Sequence, residues 1–394
     1  MPDTSQPAIA SDQQKDKKLR LLFVIDGTFP TLGGAETQAR KLAHALRDRG
    51  HHVTFLTPRV LADQPLSDEV DGFEIKRINY PHVKAVGAAI MLFRFARFIS
   101  KHGHEYDAIH VHITRLLAGT AAALRPVIKR PVITKVSGYF EFNGGVLDES
   151  KRWMPLNFVI RRALRKVDFF QTISEQTREK LIQAGYSNEQ ICFVPNGIDT
   201  ATPFAEGVSK FKNPQSDSLV FGYCGRLRHV KGVHVLMEAF AGLVKNNPDK
   251  SLVLRLAGDG FEMDRLREQA AVAGVEQHVE FLGKVDNTAE AYKSFDFYVQ
   301  PSFAEGLPNA VIEALLAQLP VVATKVGGNV DLIKENLTGQ LFKAGDAAAL
   351  GVCLQRCIDE PEQVKHMAKG GYDLICQNYG FDTVTEKLVE LYRS

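Results

Sequence analysis

The chain has 394 residues, 45% of them hydrophobic and 24% charged, which is the composition of a soluble globular protein and a length that predicts two domains. The net charge of +2 conceals a contrast, because residues 1–200 carry 28 Lys and Arg against 21 Asp and Glu, whereas the remainder carries 20 against 25. No zinc-finger or RRM pattern accompanies the basic half, so no nucleic-acid partner is predicted, and the five cysteines form no C-x-x-C pair that would indicate a metal site.

The sequence shows no targeting or membrane-spanning segment. Residues 1–18 are polar, lack the apolar core of a signal peptide and are predicted to be a disordered tail. The longest apolar runs, such as 85–93 and 116–124, are half the length needed to cross a bilayer. We therefore expect a cytoplasmic protein that lies at most on the surface of a membrane.

Apolar runs that alternate with helical segments define a first domain over residues 19–199. The runs are nearly continuous, which is typical of strands buried in a parallel sheet. They lie at Arg20–Ile25, Val53–Thr57, Asp107–Ile113, Pro131–Val136, Phe169–Ile173 and Ile191–Val194. This repeated order of strand and helix predicts a doubly wound α/β domain.

The first strand is followed by a loop that contains Gly33 and Gly34. Two adjacent glycines allow the backbone to pass close to a ligand, and a helix begins just after them at Glu36. The arrangement is similar to the opening of a dinucleotide-binding domain, but the G-x-G-x-x-G spacing is missing. A ligand-binding loop and a simple glycine turn are both consistent with this sequence.

Residues 156–167 predict an amphipathic helix with a basic face. Apolar side chains recur at positions 156, 159, 160, 163, 164 and 167, and the other face carries Arg161, Arg162, Arg165 and Lys166. Residues 91–101 repeat this theme. Such a helix can bind an anionic membrane surface, although a core helix with a solvated face is the commoner outcome.

Residues 200–218 have little periodicity and include Pro203, Gly207 and Pro214, so they are predicted to be a linker. The alternation of strands and helices then resumes over 219–375, which predicts a second domain of the same class, followed by a terminal helix within 376–394. Doubly wound domains bind ligands in the crevice at the carboxyl ends of their strands. Arg226 and Lys231 follow the first strand of the second domain at that edge.

The stretch from Pro301 to Thr324 predicts a strand end, a loop, a helix and a second strand. The helix is predicted over Asn309–Gln318, and Pro308 lies just before it, where proline is favoured at a helix start. The unpaired N–H groups at its start and the positive end of the helix dipole suit a phosphate; these groups belong to Leu307, Asn309 and Ala310.

Two carboxylates flank this predicted phosphate site. Glu305 lies in the loop and Glu313 in the second turn of the helix. Because carboxylates repel phosphate, we expect them to accept hydrogen bonds from neighbouring hydroxyl groups. A phosphate with hydroxyl-rich groups on both sides describes a sugar nucleotide, although two surface glutamates in an ordinary βαβ unit would give the same pattern.

Glu305 and Glu313 have seven residues between them, and this E-x7-E motif stands here as EGLPNAVIE. On this motif, on the Gly-Gly-Ala-Glu loop at 33–36 and on VPNGID at 194–199, the chain resembles the retaining glycosyltransferases of family 4. The resemblance implies the GT-B fold, in which two Rossmann-like, doubly wound parallel-sheet domains face a central cleft. It further implies an acceptor-binding first domain, a nucleotide-sugar-binding second domain and a terminal helix that returns to the first.

The resemblance also implies roles for individual residues. Arg226 and Lys231 would bind the pyrophosphate, Glu313 the ribose and Glu305 the donor sugar, so that Arg226, Lys231 and Glu305 are the expected catalytic residues. Lys284 and Val285 would offer backbone groups to the base. The other expected donor-binding positions are Gly33, Gly34, Gly306, Leu307, Asn309 and Ala310.

The sequence departs from the family after the strand Pro131–Val136. Many members have a His-Gly pair there, whose His contacts the transferred sugar, but Ser137 occupies the position here. His112, on the neighbouring strand, is the alternative catalytic histidine, and a structural role in the core is equally consistent with its position. The expected acceptor contacts are Ser137, Tyr139, Glu141 and Asn143.

No two aspartates lie two residues apart, so the D-x-D motif that holds a metal in many glycosyltransferases is missing. We therefore expect metal-independent transfer, without a further cofactor, from a UDP- or GDP-sugar to a glycan, a lipid-linked acceptor or a small molecule. Two other functions stay open: a nucleotide-sugar-binding protein without activity, and a dinucleotide-dependent oxidoreductase.

Overall fold

The predicted apolar runs form two β-sheets in the computed structural model, which describes residues 17–30, 34–83, 86–137, 139–200 and 218–394, apart from the side chains of Tyr139 and Phe140. Gly33, nearly all of the predicted linker and most of the predicted N-terminal tail therefore lie outside the described residues. The chain divides into two compact units. The first comprises Met1–Val136, Gly144–Phe170 and Leu388–Ser394, and the second comprises Ser137–Asn143 and Gln171–Lys387.

The first sheet contains eight strands in the order β3-β4-β2-β1-β5-β6-β7-β8. Its strands are β1 (Arg20–Val24), β2 (His52–Pro58), β3 (Ser67–Val70), β4 (Phe73–Ile78), β5 (Ala108–Val111), β6 (Val132–Val136), β7 (Phe169–Thr172) and β8 (Ile191–Phe193). The helices of this stretch are α1 (Gly34–Asp48), α2 (Val86–His102), α3 (Leu116–Ala123), α4 (Arg125–Ile128), α5 (Tyr139–Phe142), α6 (Pro155–Leu164) and α7 (Glu175–Gln183). The pairs β1–β2, β1–β5 and β5–β6 are parallel, as predicted, and β2 also pairs in parallel with β4, a strand that was not predicted.

Strands β3 and β4 form an antiparallel hairpin that the sequence analysis did not predict. Asp71 and Gly72 make the turn, and both have positive φ angles, of 56° and 77°. This dipeptide is a common hairpin signal. The first strand of the hairpin, SDEV, lies at the edge of the sheet and has too few apolar residues to be recognised by hydrophobicity.

The predicted amphipathic helix forms as α6, but its buried side is narrower than expected. Ile160 is buried, whereas Leu156 and Val159, predicted on the packed side, are 57% and 63% exposed. A Cβ atom at Gly119 of α3 would lie 2.8 Å from Ile160 Cγ2, so the two helices approach closely at this point. Because α3 approaches α6 so closely at Gly119, it buries only a narrow strip of side chains along α6.

The basic side of α6 also differs from the prediction at one position. Arg161 is buried and forms an ion pair with Glu149, so it is not part of a solvated face. Burial of a guanidinium requires such a partner, because an unpaired buried charge is costly. The other predicted basic side chains, Arg162, Arg165 and Lys166, are exposed.

The second sheet contains six strands, all parallel, in the order β11-β10-β9-β12-β13-β14. Its strands are β9 (Ser218–Cys224), β10 (Ser251–Ala257), β11 (Val279–Gly283), β12 (Phe297–Gln300), β13 (Val321–Thr324) and β14 (Gln340–Phe342). The helices are α8 (Val233–Asn246), α9 (Met263–Val272), α10 (Thr288–Lys293), α11 (Asn309–Leu316), α12 (Asn329–Leu332), α13 (Ala347–Asp359), α14 (Pro361–Asn378) and α15 (Phe381–Arg393).

Both faces of the second sheet are buried against helices. Along β9, Phe221 and Tyr223 belong to one apolar cluster with residues of α8 and α13, whereas Val220 and Cys224 belong to another with residues of α10 and α11. Successive side chains of a strand point to opposite faces, so an apolar side chain is needed at every position of a strand that is covered on both sides. This explains why the predicted runs were continuous, and it confirms the doubly wound class.

The loops at the carboxyl edge of the second sheet are joined by backbone hydrogen bonds. Gly258 N–H donates to Gly283 O at 2.8 Å, and Gly328 N–H donates to Gly306 O at 2.7 Å. A Cβ atom at Gly258 would lie 1.9 Å from Gly225 O, and one at Gly327 would lie 2.0 Å from Glu305 O. The glycines therefore allow neighbouring loops to touch through their backbones, which fixes the side chains that these loops carry.

Candidate functional site

Lys231 and Glu305, predicted from separate motifs, meet at the carboxyl edge of the second sheet. Lys231 Nζ lies 2.7 Å from Glu305 Oε1. The glutamate side chain is only 9% exposed and the lysine side chain 29% exposed. Because the pair is partly buried, solvent screens the ammonium and the carboxylate only weakly. Each group can therefore interact with a ligand at this edge.

Two further side chains hold the Glu305 carboxylate. Gln300 Nε2 donates to Oε1 at 2.7 Å, and Ser302 Oγ donates to the same oxygen at 2.6 Å. Tyr298 in turn donates its hydroxyl hydrogen to Gln300 Oε1. Three donors on one oxygen fix the orientation of the carboxylate.

The helix that follows Glu305 begins at Asn309, as predicted, and ends two residues earlier than predicted. Pro308 is its N-cap, with φ −79° and ψ 101°, and the helix covers Asn309–Leu316. The first helical N–H with an acceptor inside the helix is that of Val311, which donates to Pro308 O at 3.1 Å. The N–H groups of Asn309 and Ala310 therefore precede the hydrogen-bonded ladder, which is the arrangement expected of an anion site.

Glu313 is half-buried and faces the end of β9 rather than Glu305. It is near Cys224 and Tyr292, and burial together with this carboxylate raises the pKa of the Cys224 thiol to about 11. Burial also raises the pKa of the Tyr292 hydroxyl well above its usual value, with contributions from Tyr298 and Glu313. The two carboxylates of the E-x7-E motif thus occupy different surroundings, as different ligand groups would require.

A pocket of about 860 Å³ collects the predicted residues that follow β9 and β11. Arg226 is exposed at its wall, together with Lys284 and Val285. Sequence analysis did not identify two other residues that line it, Arg228 and Phe261. Phe261 is 94% exposed, which leaves its ring free to stack against a flat ligand.

A second pocket of about 680 Å³ has Glu305 and Gly306 in its wall. The predicted Asn143 also lines it, with five charged residues that were not predicted: Glu175, Glu179, Lys180, Lys325 and Lys334. Asp331 lies there too and accepts a hydrogen bond from Glu175 N–H at 3.0 Å. Burial raises the pKa of Asp331, while this hydrogen bond acts in the opposite direction.

The remaining predicted acceptor residues are placed differently from one another. Glu141 is only 2% exposed and accepts a hydrogen bond from Ser137 N–H at 2.9 Å, so its carboxylate stabilises the turn and does not face a pocket. Ser137 is half-buried, and its carbonyl oxygen would lie 3.1 Å from a Cβ atom at Gly306, which places it beside the Glu305 loop. The side chain of Tyr139 lies outside the described residues.

His112 is buried in the first unit, just beyond the end of β5. Its ring is 1% exposed, stacks on His110 at 4.3 Å and contacts Phe23 at 4.5 Å between ring centroids. Neither ring nitrogen has a hydrogen-bond partner among the described residues. Burial, with His110 and Lys135 nearby, holds the pKa of His112 well below its usual value. The neutral ring is therefore enclosed by its neighbours, and its catalytic role stays a prediction.

Asp26 lies two residues after the end of β1 and was not identified from the sequence. Its side chain is half-buried, and burial raises its pKa, while Arg115 acts in the opposite direction. Doubly wound sheets bind ligands at the carboxyl ends of their strands, so its position after a central strand could have predicted a ligand contact. It is therefore a candidate ligand contact of the first unit.

One group of side chains among the described residues could hold a metal ion. His229, His234 and Glu262 offer ligand atoms that all lie within 4.8 Å of one another. The two imidazole rings are stacked, with their centroids 4.7 Å apart. This group was not predicted, because it contains no D-x-D motif. Its members come from the Lys231 turn, α8 and the start of α9.

Comparisons with known proteins agree with this geometry. Residues 33–197 match the family described as "Glycosyl transferase 4-like domain", and residues 206–374 match "Glycosyl transferases group 1". Glycogen synthase of Mycobacterium tuberculosis is 26% identical over 94% of this chain and 94% of its own. A UDP-Gal:alpha-D-GlcNAc-diphosphoundecaprenol alpha-1,3-galactosyltransferase of Escherichia coli is 24% identical over 83% of this chain and 84% of its own.

A solved structure shares the fold of the whole chain. The Anabaena protein HepE, crystallised in complex with UDP, aligns with a TM-score of 0.74 at 21% identity and covers 94% of this chain and 99% of its own. At this identity the likeness establishes architecture alone. Together with the two matched families, which adjoin and span most of the sequence, it shows that the chain belongs to the group 1 glycosyltransferases, with a glycosyltransferase 4-like first domain and the GT-B fold.

Proposed function

We propose that this glycosyltransferase moves a sugar from a nucleoside diphosphate donor to an acceptor hydroxyl with retention of configuration, and that it needs no metal. The observation that carries the proposal is the Glu305 carboxylate, held by Lys231, Gln300 and Ser302 beside the N-terminus of α11. A cation, free N–H groups and a fixed carboxylate are what a phosphate next to a hydroxyl-rich sugar requires.

The proposed donor pose follows from the two pockets. Arg226 and Lys231 bind the pyrophosphate, and Asn309 and Ala310 donate their N–H groups to it, so that negative charge on the leaving phosphate is stabilised as the glycosidic bond breaks. Glu305 accepts hydrogen bonds from the sugar, and Glu313 from the ribose. The base lies towards Lys284 and Val285, in the pocket of about 860 Å³.

Retention needs no protein nucleophile in this scheme. The acceptor oxygen attacks the anomeric carbon on the face that the diphosphate leaves, and a phosphate oxygen takes the acceptor proton. The bond to the diphosphate breaks as the new glycosidic bond forms, so the products are the glycoside and the protonated nucleoside diphosphate.

The names of similar proteins narrow the proposed substrates. HepE was crystallised with UDP, which favours a UDP-sugar over a GDP-sugar. The two named relatives act on a glycan and on a diphosphoundecaprenol-linked sugar, so we include glycan and lipid-linked acceptors and propose a cytoplasmic enzyme of polysaccharide or cell-envelope synthesis. A soluble small-molecule acceptor is the alternative.

Metal independence is proposed because side chains and helix N–H groups neutralise the donor phosphates. Transfer should therefore persist in excess chelator. If chelator abolishes it and Mg²⁺ or Mn²⁺ restores it, the assignment of the phosphate charge to Arg226 and Lys231 is wrong. The variant His234→Ala would then show whether the His229–His234–Glu262 group is the metal site.

The main test is a screen of nucleotide sugars. A bound donor raises Tm by mass action, so the true donor should raise it more than other sugars on the same nucleotide. The product formed with an accepted donor should have the anomeric configuration of that donor by proton NMR. An inverted product would refute the mechanism, and donor binding without transfer or hydrolysis would indicate a binding protein.

A further inference from the structure

Five large apolar side chains are exposed within seven residues of the first unit. Trp153, Met154, Leu156, Phe158 and Val159 are between 49% and 73% exposed, and we call them the apolar patch. The rings of Trp153 and Phe158 are stacked, with centroids 6.1 Å apart and planes 19° from parallel. Single exposed apolar residues are ordinary, but a contiguous group of this size marks an interaction surface.

Basic side chains surround the apolar patch. Residues 149–167 contain six Lys and Arg and a single acidic residue, Glu149, which pairs with Arg152 and Arg161. The Arg152 guanidinium lies 5.0 Å above the Trp153 ring. Arg162, Arg165 and Lys166 are exposed at the end of α6. The surface therefore combines aromatic and aliphatic groups with charge of one sign.

We propose that the apolar patch docks the first unit onto an anionic phospholipid bilayer. The aromatic and aliphatic side chains enter the interfacial layer, and the basic side chains bind the lipid phosphates around them. Helix α6 has 10 residues, so it lies along the surface. None of the helices formed by the described residues combines the length and apolar character needed to cross a membrane.

The charge pattern favours a bilayer over a second copy of this chain. A two-fold dimer through the apolar patch would bring the basic side chains of both copies into one interface, where Glu149 is already paired in each copy. An anionic bilayer can bind both the apolar patch and the basic side chains, because it has an apolar interior and negatively charged phosphates at its surface. The inference does not depend on the proposed donor chemistry, which rests on residues of the second unit.

Trp153 is the only tryptophan of the chain, so its fluorescence reports directly on the apolar patch. The full-length protein is titrated with phosphatidylcholine vesicles and with vesicles containing phosphatidylglycerol. We expect a blue shift of the emission with the anionic vesicles, its loss at high salt, and quenching when the acyl chains carry bromine. Bromine on the chains quenches only a ring that lies within the bilayer.

Matched variants separate insertion from charge. Phe158→Ser with Met154→Ser keeps Trp153 as the probe and should raise the lipid concentration for half-maximal binding at least about tenfold. Arg162→Gln, Arg165→Gln and Lys166→Gln together should do the same. Lys245→Gln, Lys365→Gln and Lys369→Gln change the net charge equally at exposed sites of the second unit and should leave binding unchanged. Thermal melts confirm that each variant is folded.

Three results would overturn the proposal. An emission spectrum that anionic vesicles do not change at low salt would show that the apolar patch stays in water. A blue shift that depends on protein concentration without lipid would assign the surface to a second copy of the chain. An equal response to a soluble polyanion, without quenching by brominated chains, would show that only the charges bind. Failure of donor binding in the same preparation would instead contradict the proposed function.

Discussion

Polar residues at the carboxyl edges of the two sheets differ in their exposure. In the second unit, Lys231, Glu305 and Arg226 lie on loops that touch through their backbones, and their charges border pockets. In the first unit, the polar groups just beyond β5 are buried, with His112 1% and Thr114 0% exposed. The second unit thus places charged side chains in pockets at its strand ends, whereas the exposed apolar patch of the first lies on α6 and the segment before it.

Neutralising Glu305 should cause the largest loss of activity. In Glu305→Gln the amide cannot accept from Lys231, Gln300 and Ser302 as a carboxylate does, and the sugar loses a charged acceptor. We expect transfer to fall by about 10²–10³-fold, as when one fixed electrostatic contact to a transition state is removed. Steady-state kinetics with the accepted donor measures kcat.

Glu313→Gln is the matched change at the other end of the motif. It should weaken the binding of free UDP, which contains the ribose, whereas Glu305→Gln should spare it. Calorimetric titration of both variants with UDP tests this separation. The reverse pattern would show that the two carboxylates have exchanged roles, even though the motif itself is functional.

Backbone contact between loops predicts the next effect. Gly327→Ala places a Cβ atom 2.0 Å from Glu305 O at a residue with φ 49°, so the Glu305 loop must move. We expect the free energy of unfolding to fall by about 2–3 kcal/mol, with a loss of transfer activity. The control is Gly242→Ala inside α8, where a Cβ atom has no neighbour within 4 Å, and it should be neutral or stabilise by up to about 1 kcal/mol. Equal melting curves for the two variants would mean that the loops are not fixed by contact.

Removal of Arg226 should affect phosphate binding alone. Arg226→Ala is expected to weaken UDP by about 1.5–3 kcal/mol, the contribution of a charged hydrogen bond, and uridine far less. Arg265→Ala is the control, because that side chain is 63% exposed on α9 and pairs with Glu262. Similar losses for UDP and uridine in calorimetry would place Arg226 on the base or the ribose.

The sequence predicted the second unit better than the first, for a physical reason. A phosphate beside a sugar requires cations, free N–H groups and carboxylates at set spacings, so Glu305 and Lys231 could be recognised and were found 2.7 Å apart. Gln300 and Ser302 were missed because a neutral side chain after a strand carries no signal of its own. The strands that were predicted lie within one or two residues of the observed ones, because continuous apolar runs require coverage on both faces, whereas β4 and β14 were not predicted.

Surface exposure in the first unit was harder to predict. The apolar periodicity of α6 indicated that Leu156 and Val159 would be packed, yet which stripe is covered depends on the close approach of α3 at Gly119. Arg161 and Glu141 are buried for similar reasons, since each found a partner close by in the chain. Tertiary contacts of this kind are not encoded in the spacing of residue types.

The smallest expected effect concerns a buried histidine of the first unit and tests whether its polar groups are structural. His51 Nδ1 accepts a hydrogen bond from Leu19 N–H at 3.1 Å, and burial, with Arg393, Lys18 and other cations nearby, lowers its pKa to about 4. In the unfolded chain the pKa returns to about 6.5. Above pH 6.5 both states are neutral and the ring adds no pH dependence. Below it the unfolded chain binds a proton that the folded protein does not, so stability falls until about pH 4.

Because the nearby Lys18 is exposed and solvent screens its charge, we expect this loss to be about 1–2 kcal/mol rather than the full value of the pKa difference. His51→Asn keeps an acceptor for Leu19 N–H but cannot titrate, so its denaturation midpoint should fall less between pH 7 and pH 4.5 than that of the wild type. Parallel curves would show that the His51 ring takes up its proton equally in both states. The hydrogen bond to Leu19 would then be too weak to hold the neutral ring.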